Sequence, residues 1–139
     1  MSGADLCYTP AAELAALIRA KKLSPVELTR TVLERIERLN PVVNAFCTVT
    51  ADAALDAARA AEAAVMKGGR LGPLHGIPVS IKDLHFTKGV RTMSGSFIFA
   101  ERVPDVDPPF VRRLKEAGAI VVGRRRRRSS AGRRSATAR

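Results

Sequence analysis

The sequence predicts an α/β fold with some parallel strand pairing, and three observations carry that expectation. Amphipathic helical stretches alternate with short apolar runs bounded by turn-formers. No internal repeat is present. A chain of 139 residues, 46% of them hydrophobic, suffices for one small domain with a core and not for two ordinary ones.

Thr9-Pro10 opens a first helix, on which Ala12, Leu14, Ala15, Leu17 and Ile18 can share one side. Lys21 and Lys22 stand at its C-terminal end, where cations suit the helix dipole. Ser24-Pro25-Val26-Glu27 has capping-box spacing with Pro at the first helical position. Leu28, Val32, Leu33, Ile36 and Leu39 then keep the helical period until Asn40-Pro41, the expected stop. Phe46, Thr48 and Val49 give residues 44–50 room for a short strand. Ala51 to Lys67 is an Ala-rich helix with Leu55 and Val65, closed by Gly68-Gly69. Leu71 to Pro78 reads as loop, and Val79-Ser80-Ile81-Lys82-Asp83 as a short extended run between turn-formers. Residues 87–96 are rich in Gly, Ser and Thr, and Phe97-Ile98-Phe99 adds an apolar knot. Asp107-Pro108-Pro109 opens a last helix bearing Phe110, Val111, Leu114 and Ala117, which Gly118 closes, and Ala119 to Val122 is a strand of the buried type.

Charge is distributed unevenly. The chain has 24 Lys and Arg against 13 Asp and Glu, a formal charge of +11. Residues 1–123 hold 16 basic and 13 acidic side chains, a balance of +3, while residues 124–139 hold eight Arg and no acid. High basicity is thus a property of the last residues, expected to be a disordered, low-complexity tail. Met1 to Cys7 lack the basic start and apolar run of a secretory signal, and no apolar run approaches the roughly 18 residues of a spanning helix. A soluble, cytoplasmic protein without a membrane partner is therefore expected. Cys7 and Cys47, with no Cys/His cluster beside them, offer neither a disulfide framework nor a zinc site, and no metal or cofactor is expected. With no Trp and one Tyr, Tyr8, the chain lacks an aromatic base-stacking platform, so no specific nucleic-acid partner is expected.

Lys82 is the residue with most chemical potential, because it interrupts an apolar strand. Burial among Val79, Ile81 and Leu84 would disfavour its ammonium form and make it a base near neutral pH. The bland alternative has Lys82 snorkelling to solvent or pairing with Asp83. Asp83 either orients Lys82 or is a solvated carboxylate. His75 and His85 titrate near neutrality but stand without a recognisable partner and read as structural, and Ser94-Gly95-Ser96 makes an ordinary turn.

Taken together, Gly72-Pro73-Leu74-His75-Gly76-Ile77-Pro78-Val79-Ser80-Ile81-Lys82-Asp83, then Gly95-Ser96 and Gly118-Ala119-Ile120-Val121-Val122-Gly123, resemble the amidase signature family. Leu23 to Leu28 and Asn40 to Ala45 resemble its N-terminal region, so the likeness covers about residues 9 to 123. The resemblance implies the N-terminal part of an α/β sandwich around a mixed sheet, here residues 1–123. It also implies a Ser, cis-Ser, Lys triad acting on a small-molecule amide, with Lys82 at the position of the lysine base. In that mechanism the neutral amine acts through the cis-serine to deprotonate a serine nucleophile, which attacks the amide carbonyl to form an acyl-enzyme while backbone N–H groups hold the oxyanion. The family includes amide hydrolases and an amidotransferase component that helps correct mischarged transfer RNA.

The likeness stops at Gly123. The family's serine-bearing, glycine-rich segment is not matched in the remaining residues, and Ser129-Ser130-Ala131-Gly132, set among arginines, is read as a decoy. A coding shift accounts for the change. Restoring one A after a GC-rich Gly123 codon turns the residues that follow into Lys-Thr-Thr-Thr-Pro-Glu-Phe-Gly-Trp-Lys, which resembles the family's continuation. Residues 124–139 are accordingly expected to be out of frame, and the chain alone to be inactive. The alternative is nonspecific nucleic-acid binding through the Arg-rich tail by counterion release.

Overall fold

The computed structural model of the chain describes residues 3–94 and 96–126. A single helical turn, α1 (Gly3–Leu6), leads into α2 (Ala11–Arg19), where the amphipathic run was expected. Leu14, Ala15 and Ile18 form its buried side.

The second amphipathic run is α3 (Pro25–Val43), started as the capping spacing requires: Ser24 Oγ accepts the N–H groups of Val26 at 3.0 Å and Glu27 at 3.2 Å. The same hydroxyl donates to Glu62 Oε1 at 2.5 Å, tying this start to the next helix. Asn40-Pro41 does not stop α3. Pro41 lies in the last turn, where its ring deletes one late N–H donation rather than a mid-helix bond. The stop comes at Asn44, left-handed at φ 47, whose N–H reaches the Asn40 carbonyl at 2.7 Å. The Asn40 amide then brackets Phe46, donating to its carbonyl at 3.1 Å and accepting its N–H at 2.8 Å, which aims the chain into β1 (Phe46–Val49).

Helix α4 (Ala51–Lys67) has the expected bounds and ends at left-handed Gly68. Ala54, Ala58 and Ala61 recur along one buried stripe, and their small side chains let the helix lie close on Ile120 and Val122. After the loop come β2 (Pro78–Lys82), a 3₁₀ turn at Phe97–Phe99, α5 (Pro109–Glu116) and β3 (Ile120–Arg125). The sheet has the order β1-β3-β2, with β1 antiparallel and β2 parallel to the central β3. It is the mixed sheet that the resemblance implies. One core cluster joins Leu6, Leu14, Ile18, Leu28, Val65 and Ile77, and a second joins the α4 alanines to Ile120 and Val122, with Val32 packed against both.

The sheet crosses the compositional boundary at Gly123. Arg124 and Arg125 belong to β3, Arg124 completely buried, so order extends beyond the point where the low-complexity tail was expected to begin. The physical reason is that strand pairing uses the backbone, which β1 and β2 offer on both sides; Thr48 pairs with Arg124 and Lys82 with Arg125. The rest of the expected tail, from residue 127, lies outside the described residues. Among the described residues no helix is long and apolar enough to cross a membrane.

Candidate active site

The Gly72–Pro78 loop that leads into β2 is stitched to the end of α5. Leu74 and Gly76 donate their N–H groups to the carbonyls of Ala117 and Gly118, each at 3.0 Å. Contact is too close for side chains: a Cβ on Gly72 would lie 2.3 Å from the Ala117 oxygen, and one on Gly118, at φ +89, would lie 2.7 Å from the His75 Cα. The His75 imidazole Nε2 lies 2.9 Å from the Ala61 carbonyl oxygen. His75 therefore braces the loop against α4, as its structural reading requires. His85 packs the edge of its ring on Phe110, with centroids 4.7 Å apart.

Lys82 ends β2. Strand alternation buries Ile81, 2% exposed, and turns Lys82 outward, where it is exposed and has no hydrogen bond or ion pair among the described residues. The apolar setting expected from Val79, Ile81 and Leu84 is not formed: Val79 packs with the Leu14–Ile18 cluster, Ile81 is on the other face, and Leu84 is itself exposed. The described residues thus leave the Lys82 amine uncovered.

Asp83 is neither a partner of Lys82 nor solvated. Its carboxylate is buried and takes Arg124 Nε at 3.0 Å and the Met93 N–H at 3.2 Å on one oxygen, Oδ1. The Arg124 guanidinium spends its other donors on the same turn: Nη1 to Thr87 Oγ1 at 2.6 Å, Nη2 to the Lys82 carbonyl at 3.4 Å and to the His85 carbonyl. One buried cation on β3 therefore fixes the main chain immediately after Lys82, while the Lys82 amine is left projecting. Arg124 is correspondingly withdrawn from any phosphate in solution. Sequence reasoning missed this cluster because Arg124 was counted with seven other arginines. A usable signal was there, since period-2 alternation puts Arg124 in phase with buried Ile120 and Val122, and Asp83 in phase with Ile81.

Behind the cluster, the Cys47 thiol donates to the Arg124 carbonyl at 3.4 Å. Burial, reinforced by the nearby Asp83 charge, pushes this thiol up. Ser94 is left-handed at φ 51, and Ser96 Oγ accepts the Ile98 N–H at 3.3 Å, so these two residues make the turn expected of them. Gly95, Ser129 and Ser130 lie outside the described residues.

Comparison with known proteins agrees with this geometry. The Amidase family model matches residues 27–131, beginning inside α3 and running past Gly123. The chain is 43% identical over 120 residues to a component of the glutamyl-tRNA(Gln) amidotransferase of Acidothermus cellulolyticus, covering 86% of this chain and 24% of that protein. It is 42% identical over 112 residues to the putative amidase AmiD of Mycobacterium tuberculosis, covering 81% and 24% respectively. Among solved structures, the native peptide amidase of Stenotrophomonas maltophilia superposes with a TM-score of 0.78 at 37% identity, over 84% of this chain and 24% of the other. A fatty acid amide hydrolase superposes with a TM-score of 0.83 at 27% identity, over 88% and 22%. The chain thus spans about a quarter of the length of the relatives it matches. With a family match over most of its residues, the expected mixed sheet and the loop-to-strand motif in place, this chain belongs to the amidase signature family.

Proposed function

We propose that this chain is the lysine-bearing N-terminal segment of an enzyme that hydrolyses or transfers an amide, with Lys82 as the general base. The observation that carries this reading is the placement of Lys82. It stands at the carboxyl end of a strand in a parallel pair, where α/β sheets gather their ligands, its backbone clamped by Arg124 and its amine unpaired among the described residues. In the working enzyme the neutral amine takes a proton, through an intervening serine, from the serine that attacks the amide carbonyl. The amine then returns that proton to the leaving nitrogen, and water releases the acyl group. Both serines belong to sequence outside these 139 residues, and the chain alone turns over no amide. Covering Lys82 also falls to that sequence, because an amine serves as a base near neutral pH only where burial disfavours its ammonium form.

The coding-shift reading belongs with this proposal. Restoring the frame puts Lys at position 124, so either frame supplies a cation to the Asp83 carboxylate. Resequencing the DNA across the Gly123 and Arg124 codons and reading it onward in all frames is the first test; a confirmed frame with no downstream Gly-Ser-Ser-type segment overturns the shift. The second test assays the restored chain on aryl and aliphatic amides. Lys82→Ala should cost at least the 10²–10⁴-fold typical of a lost general base, and Lys82→Arg should not rescue it, because guanidinium remains protonated. Turnover near that of the parent in both variants would place the base elsewhere.

A further inference from the structure

Because the Lys82 amine makes no hydrogen bond or ion pair among the described residues, the direction in which it projects is decided by the main chain beneath it. That main chain is leaving the sheet. The Asp83 N–H, donated to the Arg125 carbonyl at 2.9 Å, carries the β2 ladder one bond further, and the Lys82 carbonyl then accepts the His85 N–H at 3.1 Å in a turn. Asp83 decides how the Arg124 fork meets this turn: by taking Nε at 3.0 Å it leaves Nη1 for Thr87 and Nη2 for the Lys82 and His85 carbonyls. The same Oδ1 accepts the Met93 N–H at 3.2 Å, and the Met93 carbonyl accepts the Ser96 N–H at 2.9 Å, which closes a second turn. Inside that second turn Ser94 is left-handed at φ 51. Lys21 and Asn44, the other described non-glycine residues in this region, follow the ends of α2 and α3, where such a conformation closes a helix. Ser94 has no helix to close, so its conformation is imposed by the contacts around it.

We propose that Asp83 is a positioning residue: its carboxylate makes the Lys82 turn and the Met93–Ser96 turn one rigid unit, and so fixes the direction in which the Lys82 amine leaves the strand. Stability alone does not account for the pair. Asp83 is 3% exposed and Arg124 0%, so both charges are withdrawn from water, and that desolvation offsets most of their attraction; two apolar side chains of similar volume would hold a fold about as well. What apolar side chains lack is direction. A guanidinium presents its N–H groups in a fixed plane, and with Nε on Asp83 that plane permits one placement of the carbonyls on either side of the turn. Asp83 acts through Arg124 and Met93 and touches no reacting atom. The catalytic consequence rests on the proposed role of Lys82, since a base displaced by about 1 Å can cost about 10²-fold in rate. The placement of the two turns does not rest on it.

The test replaces both charges at once, Asp83→Leu with Arg124→Met, in the 139-residue chain and reads backbone order by nitrogen relaxation in NMR. The double variant should keep its urea midpoint within about 0.5 M of the parent's, because no unpaired charge is left buried. Order parameters at residues 82, 83, 93 and 94 should nevertheless fall from about 0.85 to below about 0.6, while those at Ile81 and Val122 stay rigid. Unchanged order at the two turns in the folded double variant would overturn the proposal, since the sheet alone would then set them. Should that variant not fold, Arg124→Lys is the second probe: it keeps a cation for Asp83 and loses the fork, and it should loosen residues 82 and 83. Full order there in Arg124→Lys would overturn the proposal as well. Asp107→Ala is the control, because it frees the Lys88 N–H elsewhere in the same loop and should leave residues 82 and 83 rigid. Equal loosening of them in Asp107→Ala would show that any weakening of the loop suffices, and would remove the assignment to Asp83. Amide turnover enters none of these readouts, so a failure of Lys82 as the base leaves the result on Asp83 standing.

Discussion

Replacing Arg124 with Met should be among the most damaging single changes in the described chain. The substitution keeps an apolar stem in a site with no solvent exposure and removes every donor that the guanidinium supplies. What remains is a buried carboxylate on Asp83, 5% exposed at its side chain, with, among the described residues, the Met93 N–H at 3.2 Å to hold its charge. Breaking a buried pair in this way costs about 3–5 kcal/mol, because the surviving charge has lost its compensation and cannot return to water. The Lys82 and His85 carbonyls and the Thr87 hydroxyl lose a donor as well, at about 1 kcal/mol for each that water cannot reach. Against a total stability of about 5–15 kcal/mol for a domain, Arg124→Met should be at the edge of unfolding at room temperature. Arg124→Lys keeps a charge for Asp83 but not the fork that also reaches Thr87 and His85, and should lose about 1–2 kcal/mol. The assay is urea unfolding followed by far-ultraviolet circular dichroism, since a chain with no Trp and one Tyr gives little intrinsic fluorescence. Adding Asp83→Asn to Arg124→Met closes a double-mutant cycle that should show coupling of more than about 1 kcal/mol. If Arg124→Met stays within about 0.5 kcal/mol of the parent and is additive with Asp83→Asn, the buried cluster holds nothing and the assignment of Arg124 to the fold is wrong.

Lys82→Ala should leave the urea midpoint within about 0.5 kcal/mol of the parent, because the side chain is exposed and makes no polar contact among the described residues; a larger loss would show that Lys82 belongs to the fold. Gly118→Ala should destabilise by about 1–3 kcal/mol, since φ +89 is strained for Ala and the new Cβ would lie 2.7 Å from the His75 Cα; an unchanged melting temperature would refute the close packing of loop on helix. At Asp107, burial pushes the carboxyl up, but the hydrogen bonds from Lys115 at 2.6 Å and from the Lys88 N–H, with the charge of those lysines, more than offset it and hold the group below the ordinary aspartate range. A carboxyl depressed on folding stabilises above its unfolded pKa, and that contribution is lost as pH falls through the folded one. Lys115→Met should therefore flatten the acid side of a urea-midpoint profile between neutrality and about pH 3, and a profile parallel to the parent's would count against the pair.

What the sequence made legible is mostly what local chemistry decides. The Ser24-Pro25 start of α3, both ends of α4, the turn-bounded strand expected at Val79–Asp83 and found one residue earlier at Pro78–Lys82, and the Pro-Pro entry to α5 each rest on residues within one turn of the feature. Pro41 misled because a proline's effect depends on its distance from the helix end, which composition does not give. Neither expectation for Asp83, orienting Lys82 or standing in solvent, holds, because adjacent strand residues face opposite ways and its true partner lies 41 positions away in sequence, on β3. Arg124 was illegible for the reverse reason, since a run of like charges reads as solvated until a register places one member opposite a buried acid.

The central position of β3 has a consequence for the order in which this chain can fold during synthesis. β1 and β2 do not pair with each other; each waits for Ile120–Arg125, with Phe46 pairing to Arg125 and Pro78 to Ile120. A nascent chain that has emerged only as far as α5 holds packed helices and two unpaired strands, both open to illegitimate pairing with a neighbour. Sheet closure across such long separations is intrinsically slow, and it occurs in the last few codons of the described segment. A coding change at position 123 or 124 would therefore fall inside the one strand that both outer strands share, after Ile120 to Val122 have set its buried face.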